Sequence, residues 1–328
     1  MAELFEQLKQ KIAGKNLRVV FPEALEPRIL GAVARLQSEG LLTPVLIGNI
    51  DEVKKALTAR GLDASQFGIN DPNNCATFED LVKTFVERRN GKATEEQARE
   101  ALKDPNVFGT MLVQVGIADA MVSGAIHSTA DTVRPALQII KTKPGVKSVS
   151  GAFIMTHGRD AQEKYVFADC AINIDPDAET LADIAIASAQ TARLFDVNPP
   201  KVAMLSFSTK GSGKSPDVDK VVEATKLAHE KAPELILDGE LQFDAAFAPE
   251  VGRQKAPGST VAGHANVFVF PDIQAGNIGY KIAQRLGDFE AIGPILQGMA
   301  KPVSDLSRGC NEEDVYKTAI ITAAQAVQ

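Results

Sequence analysis

Cysteine is scarce and scattered: Cys75, Cys170 and Cys310 are odd in number and far apart. That spacing excludes a disulfide framework and shows no zinc pattern, so a reducing cytoplasm suits the chain best. Long apolar runs are missing as well. The opening MAELFEQLKQKIAGKN has helical periodicity and mixed charge where a signal peptide has an apolar segment. No stretch elsewhere is long enough to span a bilayer. Positive charge is not in excess either. A formal net charge of −7 argues against broad attraction to nucleic acid or an anionic membrane. A local cluster of Arg and Lys still suffices for a small anion. No repeat, low-complexity tract or flexible linker is visible.

What is present reads as a globular protein of 328 residues, long enough for two domains and a large core without disulfides or structural metal. Short β-branched runs alternate with longer amphipathic segments. LRVVF (17–21) and TPVLIG (43–48) read as buried strands separated by the helical EPRILGAVARLQSEG. DAMVSG, KVAMLSF, NVFVFPD and EAIGPIL follow, most leading into Ala-rich helical text. The alternation predicts an α/β protein built on largely parallel sheets, with consecutive helices over 80–110 as a candidate insertion. In such folds ligands collect where strands end and loops turn into helices. Four loops carry chemistry: VSGAIHSTADTVRP, SFSTKGSGKS, FPDIQAGNIGYK and AKPVSDLSRGCNEED.

SFSTKGSGKS ends like a nucleotide-binding P-loop. Counting back from Gly213, however, the first glycine of G-x-x-x-x-G-K-[ST] falls on Ser208. A Cβ there opposes the left-handed backbone that a nest of N–H groups requires. Hydroxyls, Lys210, Lys214, Gly211 and Gly213 remain, ahead of a helix start near Ser215-Pro216. Two readings stand: a phosphate loop, or a Gly/Ser turn that caps a helix.

SDLSRGCNEEDVYKTAIITAAQAV places Ser307, Arg308, Cys310 and Asp314 just before an apolar helix. Asn311 with Asp314 three residues on resembles a capping box, which accounts for the acids by itself. The functional reading has Arg308 gripping an anionic oxygen, Ser307 donating a hydrogen bond and Asp314 accepting a proton. Cys310 lacks a histidine partner nearby and reads as a packing residue.

Several motifs, KPVSDLSRGC, SGAIHSTADTVRPALQIIKT, AMLSFSTKGSGKS, DGELQFDAA and GNIGYKIAQRLG, together resemble the phosphate acetyl/butyryltransferase family, in its short stand-alone form. The similarity runs from the first strand to the last helix. It implies reversible acetyl transfer between acetyl-CoA and inorganic phosphate, giving acetyl phosphate and CoA. It also implies two α/β domains with largely parallel sheets flanking a cleft, as in isocitrate and isopropylmalate dehydrogenases. The expected domains are 1–145 with 298–328, and 146–297, with the active site in the cleft. Members are usually homodimers, need no metal or bound prosthetic group, and use coenzyme A as a substrate. Nucleic acid and membrane are not expected partners.

By motif, Ser307, Arg308 and Asp314 match the family's catalytic positions, and Arg134 in DTVRP matches a substrate-binding arginine. A second family arginine falls on Arg88 or Arg89 in FVERRNGKAT, with Arg89 preferred. Lys210, Gly211 and Ser212 are candidate substrate contacts, as is His127, although a lone histidine in a turn is more often structural. His157, His229 and His264 show no metal spacing. Ser304 stands where the family more usually has Asn, a departure that leaves the loop's chemistry in place. Gly276 and Gly279 allow either a ligand's approach or a strand-to-helix turn.

The implied mechanism is direct attack of the CoA thiolate on acetyl phosphate, with Asp314 as base and no acyl-enzyme. Reference values for a thiol and an aspartate differ by about 4.6 units, an uphill transfer of roughly 6 kcal/mol that the site must narrow. Arg308, Arg134 and Arg89 would make phosphate a better leaving group, and Ser307 would bond the sulfur or the developing oxyanion. The rival within the class is a phosphate butyryl- or propionyltransferase. The rival from another class is an NAD-dependent decarboxylating dehydrogenase, for which no convincing acidic metal cluster or nicotinamide site is visible.

Overall fold

The computed structural model describes residues 2–158 and 161–328. The chain divides into two compact units. One comprises Phe5–Lys143 with Met299–Gln328, and the other Pro144–Gly298 with the extreme N-terminus.

In chain order, helix α1 (Ala2–Ile12) precedes strand β1 (Arg18–Phe21), α2 (Pro27–Ser38), β2 (Thr43–Ile47), α3 (Ile50–Ala59) and the short β3 (Gly68–Asn70). Three consecutive helices follow as the sequence predicts: α4 (Phe78–Arg89), α5 (Glu95–Ala101) and α6 (Pro105–Gln114). Then come β4 (Ala120–Ser123) and α7 (Thr129–Ile139). The second unit runs through β5 (Ser150–His157), β6 (Glu163–Ala168), α8 (Ala178–Leu194), β7 (Val202–Leu205), α9 (Pro216–Lys231) and β8 (Leu237–Leu241). It continues with α10 (Phe243–Phe247), α11 (Pro249–Lys255), β9 (Val267–Val269), α12 (Ile273–Leu286) and β10 (Glu290–Gln297). The chain returns to the first unit for β11 (Val303–Asp305) and α13 (Glu312–Gln325).

The first sheet has the order β11-β4-β1-β2-β3, and all its pairings are parallel. Its central strands are buried on both faces, as crossover helices require: β4 is fully buried, and Val19, Val20 and Phe21 are inaccessible. Strand order reverses between β1 and β4, because β2 and β3 lie on one side of β1 and β4 with β11 on the other. The carboxyl ends of β1 and β4 therefore flank a topological switch point.

The second sheet has the order β10-β5-β6-β9-β7-β8. Only β5 runs against the rest, pairing antiparallel with both neighbours. The fold is α/β with two mostly parallel sheets, as expected, and β5 is the departure from the parallel pattern. Its core gathers Met155, Phe167, Leu205, Leu241 and Phe268. Gly276, one turn into α12, faces the carbonyl of Asp169, which would lie 2.3 Å from an added Cβ. Here glycine serves a close helix–backbone approach.

Candidate functional site

Three loops of the first unit leave the carboxyl ends of β1, β4 and β11. After β11, Leu306 donates its N–H to the Ser123 carbonyl at 2.7 Å and extends the pairing with β4. A tight turn follows, closed by Cys310 N–H on the Ser307 carbonyl at 2.9 Å, while Gly309 N–H reaches Ser307 Oγ at 3.2 Å. Ser307, Arg308 and Gly309 are exposed and Cys310 is buried. Helix α13 then starts with the expected capping box. Asp314 N–H donates to Asn311 Oδ1 and Asn311 N–H to Asp314 Oδ2, both at 2.9 Å. Asp314 Oδ1 has no such partner, and the Arg308 guanidinium forms no hydrogen bond or ion pair with any described residue.

Gly124 makes the close pairing of these loops possible. Its φ is +107°, and an added Cβ would stand 2.5 Å from Asp305 Oδ1 and 2.7 Å from the Leu306 backbone. Asp305 accepts the Thr129 hydroxyl at 2.6 Å, and burial raises its carboxyl above the ordinary range. Burial likewise pushes the Cys310 thiol up, against the influence of Arg28, so the helix start does not activate it. The packing reading of Cys310 agrees with this. Ser304 accepts the Thr322 hydroxyl at 2.7 Å in the interior, away from the exposed turn.

The β4 loop is built around Glu23, only 3% exposed beyond the end of β1. Its carboxylate accepts the N–H groups of Ala125, Ile126 and His127 at 2.8, 2.9 and 3.0 Å. It also meets His127 Nδ1 at 2.7 Å. A carboxylate thus fills the concavity of successive N–H groups and orients the imidazole. Glu23 did not figure among the sequence candidates, yet an acid directly after a buried strand at a switch point is a usable signal. Arg28 was also missed. It donates to the carbonyls of Ala125, Arg308 and Cys310. No local pattern announces contacts almost three hundred residues away.

Helix α7 begins with a second capping box, Ser128 with Asp131, and the Ser128 bonds hold the Asp131 carboxyl below its usual range. One turn on, exposed Arg134 carries no hydrogen bond or ion pair with any described residue. It lines a cavity of about 210 Å³ with Phe85, Ala101, Val107, Asp131 and Pro135. At the end of α4 the two adjacent arginines differ. Arg88 donates to the carbonyls of Ile139 and Ile140, whereas Arg89 makes no such bond.

Lys210, Gly211 and Ser212 belong to the other unit. The left-handed backbone falls at Lys210 and Gly211, with φ of +49° and +84°, and not at Ser208. Glu240, 3% exposed, occupies the loop: it accepts Gly211 N–H at 2.7 Å and the Ser208 hydroxyl at 2.9 Å. Ser208 Oγ in turn accepts Gly213 N–H, and Ser212 Oγ accepts Thr209 N–H. Lys210 donates to Asp238 and, at 2.7 Å, to the Gly239 carbonyl. Burial alone would raise the Asp238 carboxyl, but the bonds from Lys210 and Ser259 hold it low. Three donors of the loop, the Gly211 N–H, the Ser208 hydroxyl and the Lys210 ammonium, are engaged by the protein's own acids. These bonds suit the helix-capping reading of the loop, with Ser215 capping α9.

Among the described residues no group of three or more His, Cys, Asp or Glu side chains is arranged to hold a metal ion. No helix among them is long and apolar enough to cross a membrane.

The sequence profile of the family described as phosphate acetyl/butaryl transferase matches residues 3–323. A curated phosphate acetyltransferase of Bacillus subtilis (strain 168) is 63% identical, covering the whole of both chains. The crystal structure of a phosphotransacetylase from Streptococcus pyogenes is 61% identical and superposes with a TM-score of 0.97, covering 100% of this chain and 99% of that one. A 4-hydroxythreonine-4-phosphate dehydrogenase from Klebsiella pneumoniae is 12% identical at a TM-score of 0.53, covering 95% of this chain and 99% of its own, a likeness of fold alone. With its sequence matched end to end, this chain belongs to the phosphate acetyl/butaryl transferase family.

Proposed function

We propose that this enzyme transfers an acetyl group reversibly between acetyl-CoA and inorganic phosphate. The observation that carries the reading is full-length identity of 63% to a phosphate acetyltransferase. The geometry supports it, since the Arg308, Arg134 and Arg89 guanidinium groups have no hydrogen-bond or ion-pair partner among the described residues and so keep their donors available to an anion.

In the proposed reaction the CoA thiol loses its proton to Asp314, through the oxygen not engaged in the helix cap. The thiolate attacks the carbonyl of acetyl phosphate, the C–S bond forms, and the C–O bond to phosphate breaks. Arg308, with Arg134 and Arg89, neutralises the departing phosphate. Ser307 Oγ donates to the sulfur or the oxyanion, a donor role that remains open because Gly309 N–H uses only an acceptor site. His127 is assigned to substrate binding, its Nδ1 facing Glu23. No metal or prosthetic group takes part, and CoA is a substrate.

The proposed assembly is a homodimer. Supporting it, Ile278, Ile282 and Leu286 are 57, 53 and 83% exposed at helical spacing along α12. The three free cysteines fit the reducing cytoplasm.

Thioester formation from CoA and acetyl phosphate, followed at 233 nm without ATP or added metal, tests the activity. Parallel rates with butyryl and propionyl phosphate test the acyl group, because a methylene is worth only about 1–3 kcal/mol of discrimination. No thioester with any donor would reject the reading, and a butyryl preference would replace its acyl group.

A further inference from the structure

Arg28 lies in the first turn of α2, and four of its five N–H groups have partners. Nε donates to Glu26 at 2.7 Å, and Nη2 to the Ala125 carbonyl at 2.9 Å. Nη1 donates to the carbonyls of Arg308 at 2.9 Å and Cys310 at 2.8 Å. All three carbonyls belong to loops at strand ends, Ala125 after β4 and the other two after β11.

The turn from Ser307 to Cys310 satisfies only its outer carbonyl, that of Ser307, from within. The Arg308 and Cys310 carbonyls receive no bond from another loop's or cap's backbone N–H among the described residues. Carbonyls in this position need a donor from elsewhere. A planar guanidinium offers several fixed directions at once, and here it supplies both of them and a third on the neighbouring loop. Glu26 fixes the other edge of the fork, and its bond to Arg28 holds the Glu26 carboxyl low.

We infer that Arg28 is a positioning residue for acyl transfer. It sets the turn that presents Ser307 and Arg308, and it ties that turn to the loop carrying His127, without touching substrate itself. The assignment rests on the acetyl-transfer reading above.

The test combines hydrogen exchange with kinetics on Arg28→Lys, which keeps the charge and loses the fork. Amide exchange over residues 303–311 should accelerate at least about tenfold while β1 and β2 keep their protection. Turnover should fall at least about tenfold with KM for CoA and acetyl phosphate within about threefold of wild type. In an Arg308→Ala background the same change should cost less than about twofold, since the two residues act as a unit. Should Arg28→Lys fail to fold, Arg28→Gln is measured in the same way. Unchanged exchange over 303–311 overturns the inference whatever the turnover, as does a loss confined to KM, which would make Arg28 a direct ligand. A wild-type chain that forms no thioester rejects the proposed activity instead, and exchange then decides Arg28 alone.

Discussion

Asn311 and Asp314 hydrogen-bond each other twice, each side chain accepting the other's backbone N–H at 2.9 Å. One carboxylate is therefore asked both to start a helix and to accept a proton. Substitution can separate the tasks. Asp314→Asn keeps an oxygen for the cap and should change stability by less than about 0.5 kcal/mol, whereas Asp314→Ala should cost about 1 kcal/mol. Both should lower kcat at least about a hundredfold, as loss of a general base does. Denaturant melts beside thioester rates check this. An active Asp314→Asn enzyme would leave Asp314 with the cap alone.

Arg88 and Arg89 give a similar separation between neighbours. Arg88→Ala should destabilise by about 2 kcal/mol, because two helix-terminal carbonyls lose a charged donor. Arg89→Ala should stay within about 0.5 kcal/mol of wild type, and raise KM for at least one substrate about tenfold. The reverse pattern would move the anion contact to Arg88.

Lys210 is held by Asp238 and the Gly239 carbonyl. Lys210→Ala is expected to leave kcat/KM within about threefold and to cost about 1 kcal/mol of stability. A loss of two orders of magnitude in kcat/KM would make the loop a substrate contact.

Asp305 supplies a pH test. Burial raises its carboxyl in the folded state, so its contribution to stability is fully present below the unfolded value and is lost as pH rises through the folded value. Asp305→Asn removes that dependence. The variant should therefore gain stability relative to wild type as pH rises from 4 to 7, read from melting temperatures at each pH. A constant difference across that range would contradict the assignment.

What could be read in advance follows burial. Strands β1, β2, β4, β7 and β9 hold β-branched or apolar runs because neighbours cover both faces. The strands that escaped notice include β3, β8 and β11, reading GIN, LDGEL and VSD. Each lies at a sheet edge, where one side needs no partner strand and the apolar signal thins. The reversed β5 was not anticipated either, because strand direction is a property of pairing and not of composition. Of the proposed site, Ser307, Arg308 and Asp314 could be nominated from the sequence because they sit in one contiguous motif. Glu23, Arg28 and Asp305 were not, because each acts on a loop from a different part of the chain.

β11 completes the first sheet by pairing with β4, although Pro144–Gly298 separates them in the chain. Closing so long a loop costs little extra equilibrium free energy, since the entropy grows only as the logarithm of length. Its effect falls on timing. During N-to-C synthesis β1 to β4 emerge without the β11 edge strand, wait while Pro144–Gly298 is made, and receive Ser307, Arg308 and Asp314 only after it. A growing chain can thus hold most of its parallel sheet, with Arg89 and Arg134, while still lacking the proposed base and the Ser307–Arg308 pair.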